Sequence, residues 1–365
     1  MTRRHVDWLQ IRNYGPIRDL QMTLTPLHAL VGPNDSGKST VLAALRTVTL
    51  LAAAQRIDLA TEEAARLRAL LEARAAHGEV QLTASSSGEA WRARIVPPRQ
   101  EQEELFRGPI VEGSAVASRD RGGHGFFPHG SLLMRTPEAK DLATALSGSL
   151  LLRLDPDALR RPASLVPDGS PLRFQDARGS GLPGLYDAVL GRDMAAFQAI
   201  NRRAVGLFPA VDSLSLKNPT ANSKAMGVKL VDGTYVPAEA MSEGLLYFLA
   251  FALLPYLEPT AMVLIEEPEN GLHPARIAEV MRVLRELSAT TQIVIATHSP
   301  LVLNELRPEE VTVLTRDPAH GTRAQPIAST PRFSERSKVY ALGELWVSYC
   351  NGVDEGPLLS GDPRS

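Results

Sequence analysis

The densest chemical signal in this chain is Gly32-Pro33-Asn34-Asp35-Ser36-Gly37-Lys38-Ser39-Thr40. It fits G-x-x-x-x-G-K-[ST], a spacing that holds phosphate. Gly32 and Gly37 let the backbone turn its N–H groups inward as an anion nest. Lys38 can reach the β- and γ-phosphates of a nucleotide, and the Ser39 hydroxyl can hold Mg²⁺. Asn34, Ser36, Gly37, Lys38, Ser39 and Thr40 are therefore the expected nucleotide contacts.

Two further clusters fit the same chemistry. The apolar run Met262-Val263-Leu264-Ile265 ends in Glu266-Glu267-Pro268-Glu269. Open α/β sheets bind ligands at the carboxyl ends of their strands. One carboxylate there can hold Mg²⁺ and the next can orient the attacking water. Glu266 is assigned to the metal and Glu267 to the water. Downstream, Ile293-Val294-Ile295-Ala296 runs into Thr297-His298-Ser299-Pro300. His298 at that strand tip can donate a hydrogen bond to the γ-phosphate. Met241-Ser242-Glu243-Gly244 opens an apolar helix from Leu245 to Leu257. Ser242 is a good N-cap, and a capped helix end can also face a phosphate.

These residues need strands and helices to hold them. His28-Ala29-Leu30-Val31 reads as a short buried strand before the loop, and Lys38 to about Ala54 as the helix after it. Val6–Val31 reads as an antiparallel meander, with turn chemistry at Asn13-Tyr14-Gly15-Pro16. Thr61–Ala76 reads as a helix ended by Gly78. Val80–Leu82 and Trp91–Ile95 read as strands around Ser85-Ser86-Ser87-Gly88. The glycine-rich stretch Gly108–Gly130 reads as a mobile loop. Leu150–Leu154 is a strand, Asp193–Phe208 a helix, Val211–Leu216 a strand, and Val228–Val236 a hairpin around Asp232-Gly233. The pattern then alternates: helix Ser242–Leu257, strand Ala261–Ile265, helix Pro274–Ser288, strand Ile293–Ala296. Ile277, Val280, Met281, Leu284 and Leu287 mark one helix face. Such alternation implies a parallel sheet covered on both sides.

The chain has 365 residues, 44% of them hydrophobic, enough for a large core. A formal charge of −2 argues against wholesale polyanion binding. The single Cys350 rules out an internal disulfide and a cysteine zinc site, and suits a reducing, cytoplasmic compartment. Met1-Thr2-Arg3-Arg4-His5 shows no signal-peptide pattern, and no apolar run is long enough to span a bilayer.

Taken together, these motifs resemble the ABC-type ATPases without membrane domains: SMC proteins, RecF-like repair proteins, OLD-type ATPases and stand-alone bacterial AAA family ATPases. The opening Gln10–Ile17, the loop Gly32–Ser39, the acidic segment Glu266–Pro274, Thr297–Pro300 and the ending Leu342–Trp346 carry the likeness. It implies an α/β P-loop NTPase of ABC-ATPase type. A mixed or parallel sheet core would join an antiparallel β subdomain and a compact, mostly helical insertion. The expected division is an N-terminal lobe 1–59, the β subdomain and insertion 60–209, and a C-terminal lobe 210–365. The resemblance further implies ATP and Mg²⁺ as ligands and a homodimer that sandwiches ATP. In that arrangement Ser242 and Gly244 contact the γ-phosphate in trans, and Asn270–His273 cross the interface.

The sequence departs from the family in three places. Glu266 stands where most members have Asp. The signature is Met-Ser-Glu-Gly rather than Leu-Ser-Gly-Gly-Gln. The glutamine that usually reaches the metal has two candidates, Gln55 and Gln81. The expected function is an ATP-hydrolysing dimeric switch that controls a partner effector, a nuclease or other protein, in antiphage defence or DNA maintenance. The residues after His298 include Asp317 and Glu344 but no dense carboxylate cluster, so a nuclease in cis is not expected. One alternative is a RecF-like DNA-binding repair protein using Arg3, Arg4, Arg12, Arg18, Arg202 and Arg203. Another is the cytosolic subunit of an ABC importer.

Overall fold

The computed structural model describes residues 5–53, 80–86, 89–96, 100–107, 115–122, 133, 136, 139–317, 320–330 and 333–350. The helix expected over Thr61–Ala76, the turn tip Ser87-Gly88, Gln55, Arg3 and Arg4 lie outside the described residues. The chain divides into two compact units. One comprises Met1–Leu150, Thr260–Leu264 and Ser288–Ser365; the other comprises Leu151–Pro259 and Ile265–Leu287.

The first unit opens with β1 (Trp8–Tyr14) and β2 (Ile17–Thr23), an antiparallel hairpin with Tyr14 opposite Ile17. Asn13 and Gly15 take positive φ values of 53° and 59° at its turn, as the Asn-Tyr-Gly-Pro sequence requires. β3 (Leu27–Val31) is buried at all five positions and leads to α1 (Lys38–Ala53). The meander reading fails at β3. That strand pairs in parallel with a later strand of another sheet, while β1 takes β4 (Val80–Ser86) as its second partner. A strand buried along its whole length belongs in a covered sheet, not beside a half-exposed hairpin. Tyr14 shares a hydrogen bond of 2.9 Å with Thr47, fastening the hairpin to α1.

β5 (Glu89–Val96), β6 (Gln100–Arg107) and β7 (Ala115–Gly122) complete an antiparallel sheet of order β2-β1-β4-β5-β6-β7. β7 lies within the glycine-rich stretch read as a loop. Its backbone pairs with β6, and a scarcity of core-forming residues does not prevent such pairing. The rest of that stretch lies outside the described residues. α2 (Lys140–Ala145) precedes β8 (Ser149–Leu152).

The second unit starts with α3 (Pro156–Arg160), β9 (Ala163–Ser164), α4 (Leu182–Arg192) and α5 (Met194–Leu207). Asp193 caps α5 by accepting from the Ala196 N–H at 2.9 Å. β10 (Val211–Thr220), β11 (Ser223–Leu230) and β12 (Tyr235–Pro237) form an antiparallel sheet with β9 on β11. The expected hairpin pairs Val228 with Val236. α6 (Glu243–Leu253) is buried from Gly244 to Leu253, as an all-apolar helix must be. It stops four residues short of the expected Leu257, because Leu254-Pro255-Tyr256 tightens into a 3₁₀ turn. Tyr186 on α4 donates to the Leu249 carbonyl on α6 at 2.9 Å.

β13 (Met262–Glu266), α7 (Pro274–Ser288), β14 (Gln292–Thr297) and α8 (Pro300–Asn304) follow. On α7 the buried residues are Ile277, Val280, Met281, Val283 and Leu284; Leu287 is only half-buried. β15 (Val311–Asp317) and β16 (Gly321–Pro326) form an antiparallel hairpin. The second six-stranded sheet has the order β16-β15-β3-β14-β13-β8. β14 and β15 both run parallel to β3, one on each side. α9 (Phe333–Arg336) and α10 (Leu342–Cys350) end the described chain. Gln292 joins this sheet to the N-terminus: its amide receives the Val6 N–H at 3.1 Å and donates to the carbonyls of Val6 and Thr25.

Candidate nucleotide site

The loop Gly32–Gly37 leaves the C-terminal end of β3 and enters α1 at Lys38. Asp35 and Gly37 adopt positive φ values of 63° and 103°. Gly37 has no alternative: a Cβ there would lie 2.6 Å from Thr322 Oγ1 on β16. A Cβ at Gly32 would collide with the Leu314 carbonyl on β15 and stand 2.6 Å from Ser36 Oγ. The β15–β16 hairpin thus backs the loop and holds both glycines to their path. The Val41 N–H bonds to the Gly37 carbonyl at 3.0 Å and starts the helix. Helix geometry aims the N–H groups of that first turn out of its N-terminal end, a site for anions.

Lys38 is buried, and its ammonium donates to the carbonyls of Gly32 and Pro33, each at 2.7 Å. The charge is thereby solvated by the loop itself and held over it. Ser36 is also buried, and its hydroxyl has no hydrogen-bond partner among the described residues. Thr40 is buried, whereas Asn34 and Ser39 are exposed. His28, the second residue of β3, is buried between Thr25 Oγ1 at 3.1 Å and Thr312 Oγ1 at 2.9 Å. Burial lowers its pKa from 6.5 to about 4, against an upward pull from Glu310.

β14 brings His298 to the same end of the sheet. Thr297, its last residue, stands in parallel register with Val31, the last of β3. His298 and Gly32 are the next residues on neighbouring strands, and His298 is exposed. The Thr297 hydroxyl accepts the Ser299 N–H at 3.0 Å and shapes the turn.

The other expected residues lie in the second unit. Glu266 ends β13, and its carboxylate pairs with the Arg153 guanidinium at 3.3 Å. Glu267 takes φ 48°, rare for a side chain of that size. Asn270 stabilises the bend twice, through its backbone N–H to the Glu267 carbonyl at 3.1 Å and through its side chain to Oε2 at 2.7 Å. Ser242 caps α6, accepting the Leu245 N–H at 3.4 Å. Gly244 is buried, and a Cβ there would stand 2.9 Å from the Gly271 carbonyl. A Cβ at Gly271, whose φ is 68°, would collide with the Tyr247 ring. The Met-Ser-Glu-Gly segment and the loop before α7 therefore interlock through their glycines.

Sequence reasoning missed Arg153, Leu314 and Thr322. It left open the glutamine that reaches the metal. Gln81 lies inside β4, opposite Arg12 and Arg94. β13 lies between β14 and β8, and the residue after β8 is Arg153. The Ser39 hydroxyl in the first unit and the Glu266 carboxylate in the second are each, taken singly, hard oxygen donors of the kind that suits Mg²⁺.

Among the described residues no helix is long and apolar enough to cross a membrane. None of the curated proteins matches this chain. Among solved structures, it is similar to an SMC head bound to the C-winged helix domain of ScpA. That match has 16% identity and a TM-score of 0.55, and covers 88% of this chain and 97% of that one. It is also similar to an SMC head with an extended coiled coil, bound to the C-terminal domain of ScpA derived from Pyrococcus furiosus. Here identity is 14% and the TM-score 0.54, with 92% of this chain and 100% of that one covered. The shared fold is that of the ABC-type P-loop ATPase heads. Residues 27–304 match the family model described as "AAA domain, putative AbiEii toxin, Type IV TA system", and the chain belongs to that family of SMC-like AAA ATPases.

Proposed function

We propose that this chain is an ATP-hydrolysing switch that closes as a homodimer around ATP and thereby controls a partner effector in antiphage defence or DNA maintenance. The observation that carries the reading is the loop itself. Gly37 is held left-handed against Thr322, and the Lys38 ammonium is held over the loop by its own carbonyls. This is a preorganised anion cradle with a point charge ready for a triphosphate. The toxin–antitoxin wording of the family description and the ScpA-bound state of the SMC heads favour a protein partner.

In this reading Asn34, Ser36, Gly37, Lys38, Ser39 and Thr40 bind the nucleotide. Ser39 and Glu266 hold Mg²⁺, which when bound neutralises charge on the phosphates. Glu267 orients and polarises the attacking water, and His298 donates to the γ-phosphate. Ser242 and Gly244 contact that phosphate from the partner copy. The reaction is ATP and water to ADP and phosphate. ATP favours closure because it binds the closed pair better than the open one. Direct DNA binding needs an uncommitted basic groove. Arg12 and Arg203, two of the residues weighed for it, are paired with Asp19 and Glu286.

The test is ATP turnover by the purified chain with and without double-stranded DNA. Slow turnover alone, lost in Lys38→Ala, is expected; absence of ATP binding overturns the reading.

A further inference from the structure

The Glu266 carboxylate is only 13% exposed, whereas the Arg153 side chain that faces it is 77% exposed. A carboxylate withdrawn this far from water needs a cation or donors beside it. Arg153 supplies the charge through one Nε contact of 3.3 Å. That is longer than the roughly 2.7–2.9 Å of a strong charge-assisted bond, and it is not the two-pronged grip an arginine can make. The backbone beneath is fixed, since the Arg153 N–H donates to the Ala177 carbonyl at 2.7 Å. A side chain rooted firmly but held loosely at its tip can leave its partner cheaply. It sits directly after β8, a strand next to β13, the strand that Glu266 ends.

We propose that Arg153 is a displaceable counter-ion for Glu266. It neutralises the carboxylate before a divalent cation arrives and gives way when Mg²⁺ enters with the nucleotide. Arg153 thus sets how much Mg²⁺ is needed to load the site. It acts through Glu266 and is a positioning residue. The inference rests on the reading of Glu266 as a metal ligand.

The experiment measures Mn²⁺ binding to the full chain by electron paramagnetic resonance, with a non-hydrolysable ATP analogue present. Removing a competitor that is largely exposed should tighten the metal by about two- to five-fold in Arg153→Ala, the scale of an exposed ion pair. Arg153→Lys restores the competing charge and returns the affinity toward that of the parent. Affinity unchanged or weakened in Arg153→Ala overturns the proposal. Glu266→Gln is measured alongside. If it weakens Mn²⁺ while Arg153→Ala changes nothing, the metal assignment stands and only the counter-ion role fails. If Glu266→Gln leaves Mn²⁺ binding unchanged, both fail.

Discussion

The Asn270 amide donates to Oε2 of Glu267 at 2.7 Å, across a bend in which Glu267 itself has φ 48°. A glutamate in this region costs about 1–3 kcal/mol and persists only where its surroundings hold it. Across the bend, one carboxylate oxygen is tied to Asn270. Such local strain at a residue with an assigned chemical role is a feature of sites rather than of scaffolds.

Glu267→Gln keeps the shape and the Asn270 contact but removes the carboxylate proposed as the base. ATP binding is expected to survive while turnover falls by about 10²–10⁴-fold. Turnover at the parental rate would pass the role to Glu269. Glu267→Gly should also lose turnover, yet raise the melting temperature, because glycine accepts this φ without strain. Thermal unfolding followed by circular dichroism checks the second half.

The Lys38 ammonium holds the charge nearest the loop carbonyls of Gly32 and Pro33. Lys38→Ala is expected to abolish ATP binding as well as hydrolysis. Isothermal titration with ATP and Mg²⁺ reads this directly, and retained affinity would contradict it.

Gly37→Ala meets two separate obstacles, a φ of 103° and the Thr322 hydroxyl 2.6 Å from the new Cβ. A loss of about 1–3 kcal/mol of stability is expected from the backbone alone. Adding Thr322→Gly should recover only the steric part. A double variant as stable as the parent would show that backbone strain contributes nothing.

His28 is buried neutral, with a pKa lowered from 6.5 to about 4 by desolvation. The unfolded chain therefore binds more protons between those values, so stability rises with pH across that window and is lost as pH falls through it. The full span is worth about 3 kcal/mol. Urea midpoints measured at intervals from acid to neutral pH should show this slope, and His28→Gln should flatten it. An unchanged slope in that variant would place the titrating group elsewhere.

The loop Gly32–Thr40 was legible because its chemistry is local: glycines, lysine and hydroxyl stand within one turn of chain. β3, β13 and β14 were legible because strands buried on both faces read as continuous apolar runs. The partners of β3 were not, since pairing with β14 and β15 is settled across most of the chain length. The β15–β16 hairpin went unread although Val311 and Val313 alternate with Thr312 in strand fashion. Its importance lies in Leu314 and Thr322 touching Gly32 and Gly37, a contact no local pattern encodes. Arg153 was hidden for the same reason, because β8 and β13 become neighbours only in the folded sheet. The φ of Glu267 has no sequence signal at all.

The central claim is that ATP joins two copies of this chain and hydrolysis parts them. Light scattering on the Glu267→Gln variant, with ATP and Mg²⁺, tests it most directly. The account predicts a particle of twice the chain mass that reverts to one chain when ATP is removed. A particle of single-chain mass at saturating ATP would contradict it.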